Sequence, residues 1–94
     1  MPVAAKVGDK GTEHNGYHET AIITGSPTVF IDGLPAARMG DPLTAHCKPE
    51  NPPHPRKIIG GSATVFIDGL PAARTGDAVD CGGVIVSAGT VNMG

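Results

Sequence analysis

The sequence is poor in the residues that usually fill a hydrophobic core. It has no tryptophan, one tyrosine and two phenylalanines among 94 residues. Aromatic side chains supply much of the buried area of small domains, and a chain this short buries only a modest part of its surface. The core is therefore marginal, and we expect a metal ion, a partner or a disulfide to help stabilise the fold.

Long apolar runs and long charged runs are missing too. No segment approaches the roughly 20 apolar residues of a membrane span, and the first residues lack the apolar core of a signal peptide. The net charge is -2, without a basic cluster of the kind that indicates nucleic-acid binding. We interpret Arg56 and Lys57 as solvated surface residues, and we predict a protein made in the cytoplasm.

Glycine and proline, in contrast, are abundant, with 14 and 9 copies. They interrupt the chain too often for a helical period, which favours an all-β fold of short strands joined by tight turns. The two cysteines, Cys47 and Cys81, could form a disulfide in an oxidising compartment. In a reducing cytoplasm a metal-binding role is the better interpretation for Cys81.

The sequence contains an internal repeat. The segment from Thr28 to Arg38 recurs without change from Thr64 to Arg74. Alignment on the Gly-Asp pairs finds a third, shorter copy, so the single domain (1–94) divides into modules of roughly 8–39, 40–75 and 76–94. Three modules in one chain predict approximate threefold symmetry and a trimeric partner, while the incomplete third copy leaves an ordinary β-sandwich open.

Local signals within each module predict hairpins. Residues 29–31 and 65–67 are β-branched or aromatic, and an Asp-Gly pair follows each of them. Asp-Gly between apolar runs favours a type I′ turn, which needs positive φ at both central residues. Arg38 and Arg74 each stand three residues before an aspartate, Asp41 or Asp77, and we predict an ion pair or a turn-bracing hydrogen bond at each place.

Each Gly-Asp pair is also followed, four or five residues later, by a possible metal ligand: His14, His46 and Cys81. Threefold symmetry would bring these three loops together. We choose His54 as the fourth ligand, with His18 and Cys47 as alternatives. Three imidazoles and one thiolate form a closed tetrahedral set that suits a structural zinc ion and leaves no position for a substrate. The sequence therefore does not indicate an enzyme.

Two tetrapeptides carry a family resemblance. Pro-Ala-Ala-Arg occurs twice, as Pro35, Ala36, Ala37, Arg38 and as Pro71, Ala72, Ala73, Arg74. The chain resembles the PAAR-repeat proteins. The resemblance implies a conical β-rich protein on the trimeric valine-glycine-repeat protein (VgrG) of the type VI secretion spike, with one zinc ion held near the apex by three His and one Cys. The family ligands fall on His14, His46, His54 and Cys81, with Cys47 in doubt.

The function that this resemblance implies is mechanical. One tip would cap each VgrG trimer, sharpen the spike, help it cross a target membrane, and often attach effectors. We expect assembly in the cytoplasm and export by the secretion system, with no membrane span and no nucleic-acid partner. The alternatives are an effector-loading adaptor and the tip of a related phage-like contractile device. A small metalloenzyme would require an open coordination position.

Overall fold

The computed structural model describes residues 2–12, 18–46, 54–80 and 82–93. These residues form short strands and no helix, so the prediction of an all-β fold is confirmed. The molecule is longer than it is wide, with principal extents of 40 × 24 × 20 Å. The strands in the described ranges are β1 (Lys10–Gly11), β2 (Thr20–Ala21), β3 (Phe30–Ile31), β4 (Leu34–Pro35), β5 (Pro42–His46), β6 (His54–Lys57), β7 (Phe66–Ile67), β8 (Leu70–Pro71) and β9 (Ile85–Val86).

The strands pair in four small antiparallel sheets. One has three strands in the order β2-β1-β9 and so joins the first module to the third. In this sheet Lys10 lies opposite Ala21 on one side and opposite Val86 on the other. The remaining sheets are the two-stranded pairs β3–β4, β5–β6 and β7–β8.

The β3–β4 and β7–β8 hairpins turn at the predicted Asp-Gly pairs. Asp32 and Gly33 have φ angles of 51° and 80°, and Asp68 and Gly69 have φ angles of 53° and 80°. Positive φ at both central residues is the feature that type I′ turns require, so this prediction is confirmed.

Backbone hydrogen bonds repeat from module to module. The amide of Gly8, Gly40 or Gly76 donates to the carbonyl of an isoleucine at 2.9, 2.7 and 2.8 Å. The acceptors are Ile22, Ile58 and Ile85, each no more than 1 % exposed. Three copies of one local geometry confirm the predicted approximate threefold symmetry.

Three alanines of the buried core form a closed ring of hydrogen bonds, which we call the alanine ring: Ala5, Ala37 and Ala73. The Ala5 amide donates to Ala73, the Ala73 amide to Ala37, and the Ala37 amide to Ala5, each at 3.0 Å. All three residues are at most 1 % exposed. A small side chain is needed because three backbones approach one another here, and a buried backbone amide needs a partner.

The segment 2–6 completes the third module. The Ala4 amide donates to the Val91 carbonyl at 2.7 Å, just as Ala36 donates to Val29 and Ala72 to Val65 at 2.9 Å. Residues 3–6, Val-Ala-Ala-Lys, therefore stand where the two other modules have Pro-Ala-Ala-Arg. The third copy has no Pro-Ala-Ala-Arg in sequence order, yet in space residues 3–6 take its place.

The expected ion pairs are present, with a third copy in this N-terminal segment. Arg38–Asp41 and Arg74–Asp77 have N–O distances of 2.9 and 2.8 Å, and the equivalent Lys6–Asp9 pair has 2.9 Å. The described strands form one three-stranded and three two-stranded sheets, not the two face-to-face sheets of a β-sandwich, so the sandwich alternative is wrong.

Aliphatic residues alone build the two buried clusters of the described chain, which confirms that the core is thin. Both phenylalanines lie outside: Phe30 is 60 % exposed and Phe66 is 58 % exposed. The larger cluster contains Ala5, Ile22, Ala37, Leu43, Ile58, Ala73, Val79 and Ile85. The smaller contains Ala4, Ile31, Ala36, Ile67 and Ala72.

Candidate metal centre and intermodule contacts

The structure describes the backbone of two of the four predicted zinc ligands, His46 and His54. His14, Cys81 and the alternative Cys47 lie outside the described residues. Within the described ranges, no three His, Cys, Asp or Glu side chains lie close enough to share a metal ion. That finding does not reach the predicted set, so the zinc site stays a prediction.

The backbone brings two of the predicted ligands together. His46 ends β5, His54 begins β6, and the two are direct Cα partners in the antiparallel pair. The register of this pair shifts between Leu43 and His46, which marks an irregularity in the ladder. The alternative ligand His18 is exposed, and its Nδ1 lies 2.9 Å from the Glu19 carbonyl oxygen.

Arg56 corrects the interpretation of the Arg56-Lys57 pair. Lys57 is exposed as expected, but Arg56 is only 1 % exposed and is the largest fully buried side chain in the described chain. Its Nη1 donates to the Gly11 carbonyl and to the Thr20 hydroxyl, both at 3.1 Å. Its Nη2 donates to the carbonyls of Thr12 at 2.9 Å and Gly82 at 3.1 Å.

These contacts join the segments that carry the predicted ligands. Thr12 is two residues before His14, Gly82 directly follows Cys81, and Arg56 is two residues after His54. Three of the four predicted ligand positions are therefore close in sequence to residues that Arg56 joins.

Glycine is required where the third module passes Arg56. Gly83 has a φ of 87°, and a Cβ atom placed there would lie 2.9 Å from Arg56 Nη2 and 2.7 Å from the Thr12 carbonyl oxygen. A side chain at this position would therefore push apart two of the segments that Arg56 holds.

Two aspartates at the hairpin turns bind the neighbouring modules. Asp68 accepts hydrogen bonds from the hydroxyls of Ser26 and Thr28, and from Arg38 Nη1 at 2.9 Å. The hydroxyl bonds, with a smaller contribution from the Arg38 charge, lower the pKa of the Asp68 carboxyl below its ordinary value.

Asp32, at the other turn, makes the corresponding contact with the third module. It accepts hydrogen bonds from the backbone amide of Thr90, at 2.9 Å, and from the Thr90 hydroxyl. These bonds lower the pKa of the Asp32 carboxyl, chiefly through the hydroxyl. The turn that reverses each hairpin therefore also binds it to a neighbouring module.

Exposed apolar side chains recur at equivalent positions. Phe30 and Leu34 of one hairpin are 60 and 41 % exposed, and Phe66 and Leu70 of the other are 58 and 39 % exposed. We call these four the hairpin apolar residues. The two hairpins therefore expose the same apolar side chains to solvent.

A second set of exposed apolar side chains has one member in each module: Ile23, Ile59 and Val86 are 54, 49 and 51 % exposed.

The described part of the chain contains no helix with the length and apolarity needed to cross a membrane.

Comparison with protein families places the sequence beside a known motif. A family model of the PAAR motif matches residues 7–87, which is most of the chain. No curated protein matches the sequence.

Proposed function

The chain belongs to the PAAR-motif family, whose members are structural proteins of the type VI secretion spike tip, and from this premise we propose that it caps the VgrG trimer. One copy would sit on each trimer and form the leading point of the spike. Sheath contraction would then drive this point against a target membrane, and the protein would leave the cell by that route.

The alanine ring is the observation that carries the proposal. Ala5, Ala37 and Ala73 belong to three related segments, and each donates to the next at 3.0 Å. A ring of this kind gives one chain three nearly equivalent sides. A cap with three equivalent sides can contact all subunits of a trimer at once, whereas a protein without that symmetry contacts them unequally.

The hairpin apolar residues support a docking role. Phe30 and Phe66 are more than half exposed at equivalent positions, which is costly for an isolated protein unless another surface covers them. We propose that these side chains face the trimer. Short hairpins with open edges could also continue the strands of a β-rich partner.

The proposed zinc ion would make the tip rigid. His14, His46, His54 and Cys81 would hold one zinc ion, which when bound would act as a structural tie with no open coordination position. The pairing of His46 with His54 and the meeting of segments at Arg56 support this ligand set. Such a tie would offset the thin aliphatic core.

The assembly test mixes the protein with the spike trimer and measures stoichiometry by native mass spectrometry. We expect one chain per three VgrG chains. The double variant Phe30→Ser, Phe66→Ser should lose the complex while its melting temperature is kept, because both side chains are exposed. Glu19→Gln, an exposed polar change, is the control. The absence of a one-to-three complex with the unmodified chain would refute the capping function.

The zinc test measures metal content and melting temperature together. We expect one zinc per chain, with both quantities reduced in His14→Ala and in Cys81→Ser, because each variant removes one of four ligands. His18→Ala is the matched control and should keep its zinc. Unchanged zinc content in both ligand variants would eliminate the site.

Effector attachment is the remaining part of the proposal. A pull-down from cells in which the secretion system is active should recover a toxin or an adaptor beside VgrG. Recovery of VgrG alone would limit the role of this protein to capping and piercing.

A further inference from the structure

A carboxylate-binding site is built into the first module. Ser26, Thr28 and Arg38 all donate to the Asp68 side chain of the second module, and the two hydroxyls contact different carboxylate oxygens. The Ser26 hydroxyl is itself held in place, because it accepts hydrogen bonds from the backbone amides of Thr28 at 3.0 Å and Val29 at 2.9 Å.

The second module contains the same set of residues in the same geometry. Ser62, Thr64 and Arg74 are the sequence equivalents of Ser26, Thr28 and Arg38. The Ser62 hydroxyl accepts the amides of Thr64 at 3.0 Å and Val65 at 2.9 Å, and its oxygen lies 3.3 Å from Thr64 Oγ1. The corresponding oxygens of Ser26 and Thr28 are also 3.3 Å apart.

The guanidinium groups agree as well. The Nε of Arg74 donates to Asp77 at 3.1 Å, and that of Arg38 donates to Asp41 at 3.0 Å. Arg38 extends its second amino group to Asp68, whereas the described contacts of the Arg74 side chain are with Asp77 and the Gly61 carbonyl. The Arg74 side chain is also more exposed, at 23 % against 13 %.

The order of the modules shows where a third carboxylate would have to originate. The second module supplies Asp68 to the first, and the first supplies Asp32 to the third. By the same rotation the third module would supply a carboxylate to Ser62 and Thr64. Its hairpin is built from residues 2–8 and 82–93, and neither segment contains an aspartate or a glutamate. Among the described residues, no carboxylate binds the Ser62 and Thr64 hydroxyls.

We propose that Ser62, Thr64 and Arg74 form a binding site for a carboxylate supplied by a partner protein, as an exposed aspartate or glutamate side chain. The first module shows that this set binds a carboxylate: two hydroxyls take the two oxygens and the guanidinium adds charge. The proposal is independent of the capping function. The free carboxylate-binding site would occur on one of the three similar sides, so that a partner can distinguish this side from the other two.

The test is a titration of the protein with sodium acetate, followed by NMR and compared with sodium chloride at equal ionic strength. We expect saturable shifts of the Thr64 and Val65 amides and none at Thr28 and Val29, where Asp68 is already bound. In Thr64→Val the apparent affinity should fall about tenfold or more, as expected for the loss of a hydrogen bond to a charged group. Absence of an acetate-specific shift at Thr64 would overturn the proposal.

Thr28→Val is the matched control, because it makes the same change in the same local sequence. It should lower the melting temperature by breaking a contact with Asp68 and should leave acetate binding at Thr64 unchanged. Thr64→Val should change the melting temperature much less. Equal destabilisation by the two variants would show that Thr64 already binds a carboxylate of this chain, and would overturn the site.

A second arm distinguishes the source of the carboxylate. The α-carboxylate of the 94-residue chain is the other candidate, and appending a neutral Gly-Ser extension moves that group away. Unchanged acetate affinity in the extended chain supports a partner as the source. A clear rise in affinity would show that the α-carboxylate competes for the site, and would overturn the assignment to a partner.

Discussion

The alanine ring and the Arg56 guanidinium both join three parts of the chain, but they do so by opposite means. The ring uses one small residue three times, and every contact runs from backbone to backbone at 3.0 Å. Arg56 uses one long side chain to reach the unlike carbonyls of Gly11, Thr12 and Gly82. A repeated sequence can build the first kind of junction. The second kind needs a position at which one module has a residue that the other modules lack.

The difference also explains how space is shared near the symmetry axis. Counted from the buried isoleucines Ile22, Ile58 and Ile85, the positions two residues earlier are Thr20, Arg56 and Gly83. These positions meet: Arg56 donates to the Thr20 hydroxyl at 3.1 Å, and a Cβ on Gly83 would lie 2.9 Å from its guanidinium. The large side chain of Arg56 fits beside the smaller Thr20 because Gly83 has no side chain. Three equal residues could not fill this space as well.

The largest effect is expected from a larger side chain in the ring. Ala37→Leu should destabilise the protein by about 3 kcal/mol or more, because overpacking here forces apart three hydrogen-bonded backbones. Thermal unfolding followed by circular dichroism measures the change, with the exposed Ala63→Leu as control. Equal melting temperatures for the two variants would contradict the close approach that defines the ring.

The next effect is expected from the removal of the guanidinium. Arg56→Met keeps much of the buried volume but leaves several carbonyls without their donor, at a cost of about 1–3 kcal/mol. Chemical denaturation measures the loss, and the exposed neighbour Lys57→Met is the control. Hydrogen exchange should quicken at residues 10–12 and 82–85 while Ala37 remains protected. Uniform exchange throughout would show that the two junctions are not separate.

The smallest effect concerns the turn carboxylates and acid. The folded-state pKa of Asp68 is lowered, so its contribution is present above the unfolded value of about 3.9 and is lost as pH falls through the lowered value. The melting temperature should therefore fall on acidification below about pH 4, and less steeply in Asp68→Asn. Thr64→Val should retain the wild-type slope. If Asp68→Asn keeps the wild-type dependence of melting temperature on pH, the lowered pKa of Asp68 does not contribute to stability.

The repeated features were the ones that sequence could predict. The Asp-Gly turns, the Arg38–Asp41 and Arg74–Asp77 pairs, and the threefold arrangement all follow from residues that recur at fixed spacing. The Val3 to Lys6 segment was missed because valine and lysine replace the motif's proline and arginine, and because it precedes the first Gly-Asp pair. Its hidden signal was Lys6, three residues before Asp9, like each arginine before its own aspartate.

The burial of Arg56 could not be predicted from the repeats, for a different physical reason. Arginine beside lysine is usually solvated, and burial of a guanidinium depends on carbonyls that only the folded loops supply. The positions of the predicted ligands could be proposed from spacing, but the meeting of their segments at one side chain is a property of packing. Alignment of Thr20, Arg56 and Gly83 would have drawn attention to the unequal sizes without explaining them.

The pairing of the first residues with the last has a consequence for the order of folding. Val3 lies opposite Asn92, and the Met93 amide donates to the Pro2 carbonyl at 2.9 Å. During synthesis residues 2–6 leave the ribosome before the three modules, and their partners at 91–93 emerge only after the third. The third side of the molecule therefore closes last, and contacts so distant in sequence slow the folding step that depends on them.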